Sequence, residues 1–191
     1  MKWQQLGENL PRRRNPLAQL IGRSVLRLLG WRIEGDFPNL PQVVVALTPH
    51  TSNMDFILTL AVLWGLGLKS SFLMKHTLFW FPLGPLLSAM GGIPVDRKDP
   101  EGLVDGMVTE FQRRDRLVLG ITPEGTRSGV RRWKTGFARI AAKAKLPVVP
   151  AILNYETRTI HFAPAIIGLN NPDAILEGVK LAAVNGRARH P

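Results

Sequence analysis

The stretch QVVVALTPHTSNMDFILTL, residues 42–60, decides how this chain is built. Its first six residues are of strand length and apolar after Gln42, the pattern of a strand buried on both faces. A polar turn follows, and then an apolar run too long for a strand. Ser52 is a good helix N-cap and Asp55 stands at the N3 position of a capping box, so a helix is expected over residues 53–67. The same alternation recurs. SFLMK (71–75), LVLGI (117–121) and PVVPAIL (147–153) are short apolar runs, and helix-length segments at 83–90, 101–115 and 136–145 lie between them. The pattern predicts an α/β fold, a single domain with a largely parallel central sheet flanked by helices. Ligands of such sheets sit at the carboxyl ends of the strands, which is where the turn at 48–52 falls.

Composition narrows the function classes. A chain of 191 residues, 45% of them hydrophobic, is long enough for one domain with a substantial core. Its formal charge of +11 suits anionic partners: nucleic acid, a phospholipid surface or phosphorylated small molecules. The absence of cysteine excludes disulfides, thiolate metal sites and a cysteine nucleophile. His50, His76, His161 and His190 show no metal-ligand spacing, so no metal is expected.

No signal peptide is expected, because Arg23 and Arg27 interrupt what would be its apolar core. Residues 56–68 are too few to cross a bilayer of ~30 Å, and residues 77–95 are broken by Pro82, Gly84, Pro85, Gly91, Gly92 and Pro94. Residues 17–29 read as a basic amphipathic helix, with Leu17, Ala18, Ile21, Val25, Leu28 and Leu29 on one arc and Gln19, Arg23 and Arg27 opposite. Such a helix either packs its apolar face on the core or lays it in lipid. The neighbouring Arg12, Arg13 and Arg14 favour an anionic membrane.

His50 and Asp55 are the first candidate for chemistry. Within one helix they would lie roughly 140° apart, so direct pairing requires His50 in the turn ahead of the helix. Alternatively, Ser52 and Asp55 serve only the helix end, with His50 a loop residue. A His-x4-Asp match arises by chance with probability of about 0.15 in a chain of this composition, so other residues must corroborate it. ITPEGTRS, residues 121–128, leaves a strand and brings a carboxylate, a glycine, hydroxyls and an arginine into one turn. Gly125 lets backbone amides approach an anion, Arg127 can fork onto a phosphate, and Thr126 and Ser128 can bond its oxygens; the alternative is an internal pair of Glu124 with Arg127. GGIPVDR, residues 91–97, reads as a second glycine-rich turn delivering Arg97.

In order and spacing, HTSNMD (50–55), GGIPVDR (91–97), PEGTRS (123–128) and VVPA (148–151) resemble the four blocks of the glycerolipid acyltransferase superfamily, of the lysophosphatidate acyltransferase type. The resemblance implies His50 as catalytic base and Asp55 as the carboxylate that orients it. It implies acceptor-binding positions at Arg97, Glu124, Gly125, Thr126 and Arg127, usually for a phosphate, and a strand bordering the acyl site at 148–151. Lys134 and Gly136 match a lysine and glycine common after the third block. Asparagine and phenylalanine often stand in the family where this chain has Pro49 and Thr122. The expected organisation is a membrane-associating helix over residues 1–33 and an acyltransferase domain over 34–191, peripheral at the cytoplasmic face of a membrane.

The expected reaction moves a fatty acyl group from acyl-CoA or acyl-ACP to a hydroxyl of a glycerol-phosphate or lysophospholipid acceptor. An imidazole can take the hydroxyl proton while a carboxylate stabilises the imidazolium. The thioester is already activated, so no cofactor is required, and the chain has no Gly-x-Ser-x-Gly elbow for an acyl-serine intermediate. Three other readings compete: a basic nucleic-acid-binding module, a serine esterase using His50 with Ser52 or Ser128, and a scaffold without chemistry. The first lacks any RNA-recognition, zinc-finger or KH signature.

Overall fold

A computed structural model describes residue 3 and residues 6–96, 98–124 and 133–189. The described elements run α1 (Pro16–Leu28), β1 (Arg32–Glu34), β2 (Gln42–Thr48), α2 (Asn53–Leu66), β3 (Ser71–Lys75), α3 (Leu83–Met90), β4 (Gly92–Val95), α4 (Pro100–Arg113), β5 (Leu117–Ile121), α5 (Gly136–Ala144), β6 (Val148–Asn154), β7 (Thr159–Phe162) and α6 (Pro172–Ala182). The strands form one sheet in the order β1-β7-β6-β2-β5-β3-β4. From β6 to β4 all neighbours are parallel, while β7 runs antiparallel to β6 and β1 parallel to β7. The expected α/β architecture with a largely parallel sheet is therefore the observed one.

The valines of β2 show why the sheet is covered twice. Val43 and Leu47 face a core shared with Leu26 of α1 and Leu58 and Val62 of α2. Val44 and Ala46 point the other way, against Phe111 of α4, Phe137 and Ile140 of α5 and Val179 of α6. Alternate side chains are apolar on both faces because helices bury both.

Four elements depart from the expectation. GGIPVDR is not simply a turn: Gly92–Val95 is β4, and it lies at the edge of the sheet, where a strand tolerates the missing N–H of Pro94. β1 and β7 are too short to show a period, β1 being three residues long with Arg32 and Glu34 exposed; α6 was not expected although it is amphipathic, with Asn171 as N-cap and Ile175, Leu176 and Val179 buried. Because β1 pairs with β7, the boundary expected after residue 33 falls inside a strand of the common sheet.

α1 is also rotated relative to the expected apolar arc. Its buried residues are Ala18, Gly22 and Leu26. The cause is a close crossing with α2: a Cβ on Gly22 would come within 2.5 Å of Ala61 O and of Gly65 N, so the contact centres on glycine and the larger side chains are displaced from it. Leu17, Leu20 and Leu28 are left 65%, 62% and 85% exposed. Arg23 does not project outward as expected; its Nε donates to Gly65 O at 3.0 Å and its guanidinium lies over the Trp3 ring at 5.0 Å.

Candidate active site

The turn between β2 and α2 lies at the carboxyl edge of the parallel strands, and local hydrogen bonds set its shape. Ser52 is the N-cap of α2, its Oγ accepting from the Met54 amide at 3.1 Å. Asp55 returns the bond: its Oδ2 accepts from the Ser52 amide at 2.7 Å and the Thr51 amide at 2.8 Å. The backbone thus curls over the carboxylate and carries His50 above it. His50 Nδ1 lies 3.3 Å from Asp55 Oδ2, with the aspartate fully buried and 13% of the imidazole exposed. That contact is long for a hydrogen bond. The capping box and the His-Asp pair coexist, because the amides and the imidazole share Oδ2.

Oδ1, the other oxygen, accepts from the phenol of Tyr155, just beyond β6. Burial by itself would raise the Asp55 carboxyl, but contacts with His50, Tyr155 and the Ser52 and Thr51 amides together hold it below the ordinary aspartate range. The group stays anionic. Thr48, the last residue of β2, donates from Oγ1 to Glu124 Oε1, which joins the turn after β5 to the histidine turn. Glu124 is buried, and its Oε2 has no hydrogen-bond partner among the described residues.

A cavity of about 1220 Å³ opens beside this pair, larger than the ~300–1,000 Å³ of most ligand pockets. His50 lines it together with mostly apolar side chains, among them Phe56, Leu60, Phe72, Leu73 and Val118. The sheet itself makes room. β3 pairs with β5 only at Ser71↔Leu119 and Phe72↔Gly120, so the carboxyl-terminal half of β3 leaves β5, and residues 72–75 and 120–122 flank the gap. The cavity consequently reaches side chains of both core layers, Phe162 from one and Phe137 from the other.

Of the residues singled out in the sequence, His50 and Asp55 meet, Glu124 joins their turn through Thr48, and Lys134 and Gly136 line the cavity. The Lys134 amide donates to Pro123 O at 2.7 Å. Residues 148–151 open β6 beside β2, with Ala151 opposite Leu47 and on the cavity wall. Arg97, Gly125, Thr126, Arg127 and Ser128 lie outside the described residues. The strand preceding Arg97, β4, is three strands from β2, about 14 Å at ~4.8 Å per strand. Tyr155 and Thr48 went unrecognised in the sequence, because only strand register brings them to Asp55 and Glu124.

The family model described as Acyltransferase matches residues 32–154, more than half of the chain, and spans both the His-Asp turn and the turn after β5. The chain belongs to this acyltransferase family. A 1-acyl-sn-glycerol-3-phosphate acyltransferase of Cocos nucifera is 30% identical over 74% of this chain and 47% of its own length. One of Limnanthes alba is 31% identical over 73% of this chain and 51% of its own length. The acyltransferase chain thus spans about half the length of these curated relatives. The crystal structure of the 1-acyl-sn-glycerophosphate acyltransferase PlsC from Thermotoga maritima superposes with a TM-score of 0.66 at 16% identity, over 87% of this chain and 75% of that one. Family membership and fold agree.

Proposed function

We propose that this acyltransferase moves a fatty acyl group from a thioester, acyl-CoA or acyl-ACP, to a hydroxyl of a glycerol-phosphate or lysophospholipid acceptor, with His50 as general base. The observation that carries this reading is the His50–Asp55 pair, whose histidine lies on the wall of a large apolar cavity. Asp55 at Nδ1 places the imidazole proton on that nitrogen and the lone pair on Nε2. Nε2 takes the proton of the acceptor hydroxyl as its oxygen attacks the thioester carbonyl. The tetrahedral intermediate then expels the thiolate, which receives the proton from the imidazolium, so the products are an ester and a free thiol. The acyl chain occupies the cavity. The thioester is activated already, and the step uses no metal or cofactor. Ser52 is engaged as a helix cap, which weighs against an esterase nucleophile there.

The test is incubation of purified protein with labelled acyl thioester and a panel of lysophosphatidate, glycerol-3-phosphate and unphosphorylated alcohols. Transfer to the phosphorylated acceptors is expected, with little to the alcohols. Arg97 and Arg127 are the residues proposed for the phosphate. Charge-assisted hydrogen bonds contribute about 1.5–3 kcal/mol each, so Arg127→Ala should raise the acceptor KM roughly 10- to 100-fold. Arg127→Lys should be impaired too, because it keeps the charge and loses the planar fork. Equal use of unphosphorylated alcohols by wild type would sink the phosphate assignment.

The same proposal sets the enzyme against an anionic lipid surface, peripherally and at the cytoplasmic face. Among the described residues no helix is long and apolar enough to cross a membrane. Leu17, Leu20 and Leu28 on α1, with Trp80 and Phe81 ahead of α3, are exposed apolar groups suited to lipid contact. Deleting α1 would not test this, since Leu26 belongs to the shared core. A triple change of Leu17, Leu20 and Leu28 to Ser leaves the core face intact. It should reduce flotation with anionic vesicles at least ~10-fold, given ~1.5–3 kcal/mol for each buried leucine, without lowering the thermal midpoint. Unchanged flotation would assign those leucines no part in lipid binding.

A further inference from the structure

We propose that Tyr155 is a positioning residue of the transfer reaction, holding the Asp55 carboxylate, and through it the His50 ring, in one orientation. This rests on the reading of His50 as general base. Among the described residues, three of the four groups around the carboxylate approach a single oxygen: the Thr51 and Ser52 amides and His50 Nδ1 all address Oδ2. Those contacts fix the place of Oδ2 but leave Oδ1, at the other end of the carboxylate, to rock about it. The Tyr155 phenol takes that second oxygen and braces the plane of the carboxylate from the opposite side.

The phenol is itself held from two sides. β2 and β6 are parallel with Thr48 opposite Ile152, so the first residue past β6 arrives beside the histidine turn. There the Tyr155 ring meets Trp31 edge-on, centroids 4.8 Å apart at 83°, and its amide donates to Arg187 O at 3.1 Å. Trp31 is buried, so the ring rests on a fixed wall. Among the described residues the charged and titratable groups around it are few. His50 belongs to the turn and Asp55 to α2. Arg189 comes from the returning chain, its Nη1 3.4 Å from Ser52 Oγ. Glu124 approaches the turn from β5 through Thr48, and Glu156 pairs with Arg187 at 3.7 Å. Burial and the Asp55 bond both push the phenol above the ordinary tyrosine range, Arg189 opposing them weakly, so it remains a protonated donor at neutral pH.

Tyr155→Phe keeps the ring on Trp31 and removes one O–H. The expected result is a kcat about 10-fold lower with the acceptor KM unchanged. The acid limb of the kcat/KM profile should move to higher pH, because an Asp55 with one donor fewer holds a proton on His50 more tightly. A purely structural tyrosine would lower the thermal midpoint and leave kcat and the pH profile on those of wild type, which would overturn the proposal. A change confined to KM would make Tyr155 a substrate contact and overturn it equally. Tyr155 is the only tyrosine in the chain, so ultraviolet titration reads its phenol directly and does not depend on activity. The phenol should ionise above the ordinary range in wild type and lower in Asp55→Asn; identical titration in the two proteins would refute the contact. His50→Ala separates the two hypotheses. If it stays active, the general base was misassigned; if it is inactive while Tyr155→Phe matches wild type in kcat and pH profile, only the tyrosine proposal fails.

Discussion

His50→Ala should remove acyl transfer, lowering kcat by about 10²–10⁴-fold, the usual contribution of a positioned general base, while the protein stays folded. The scaffold of the turn does not pass through the imidazole. Ser52 still caps α2, and the Thr51 and Ser52 amides and the Tyr155 phenol still hold Asp55. Without His50 the buried carboxylate loses one favourable contact, so a modest fall in stability, about 1 kcal/mol, is expected alongside the catalytic loss. Turnover measured at saturating thioester and acceptor, together with the thermal midpoint, distinguishes the two effects. A folded variant with near-normal turnover would show that another group accepts the hydroxyl proton.

Asp55→Asn is the second large effect, expected at about 10²-fold or more in kcat. The amide can reproduce the geometry: its oxygen in place of Oδ2 accepts from the two backbone amides, and its NH₂ in place of Oδ1 donates to the Tyr155 oxygen. What it cannot reproduce is the charge that, in the proposed mechanism, stabilises an imidazolium at His50. The loss should therefore fall on kcat, with the fold preserved.

The same substitution has a consequence at low pH. The Asp55 carboxyl titrates below its ordinary range in the folded protein. A depressed folded value means that the ionised group contributes stability above the unfolded value, and that this contribution is lost as pH falls through the folded one. Relative to Asp55→Asn, wild type should thus lose thermal stability on acidification below the ordinary aspartate range. Parallel stability curves for the two proteins across that interval would show that the hydrogen bonds to Asp55 do not favour its charged form.

What could be read without coordinates was local. The period of QVVVAL, the length of the following apolar run and the Ser52–Asp55 spacing identify a doubly buried strand, a turn and a capped helix, because each depends on groups a few residues apart. The same spacing required His50 to stand ahead of the helix for pairing, and it does. β4 was obscured because a glycine and a proline make up half of its four residues, and an edge strand tolerates both.

Tertiary structure alone decided the rest. Tyr155 reaches Asp55 across 100 residues of chain, and Thr48 reaches Glu124 across 76. Neither contact has a local signature, since both follow from β6 and β5 flanking β2 in parallel register. The cavity exists because β3 parts from β5 after two pairs. The face α1 turns inward was set by Gly22 against Ala61 and Gly65, which the helical period of α1 could not foresee. Capping and periodicity are written between near neighbours in the chain, whereas sheet order, register and the closest helix crossing are settled by segments that meet only on folding.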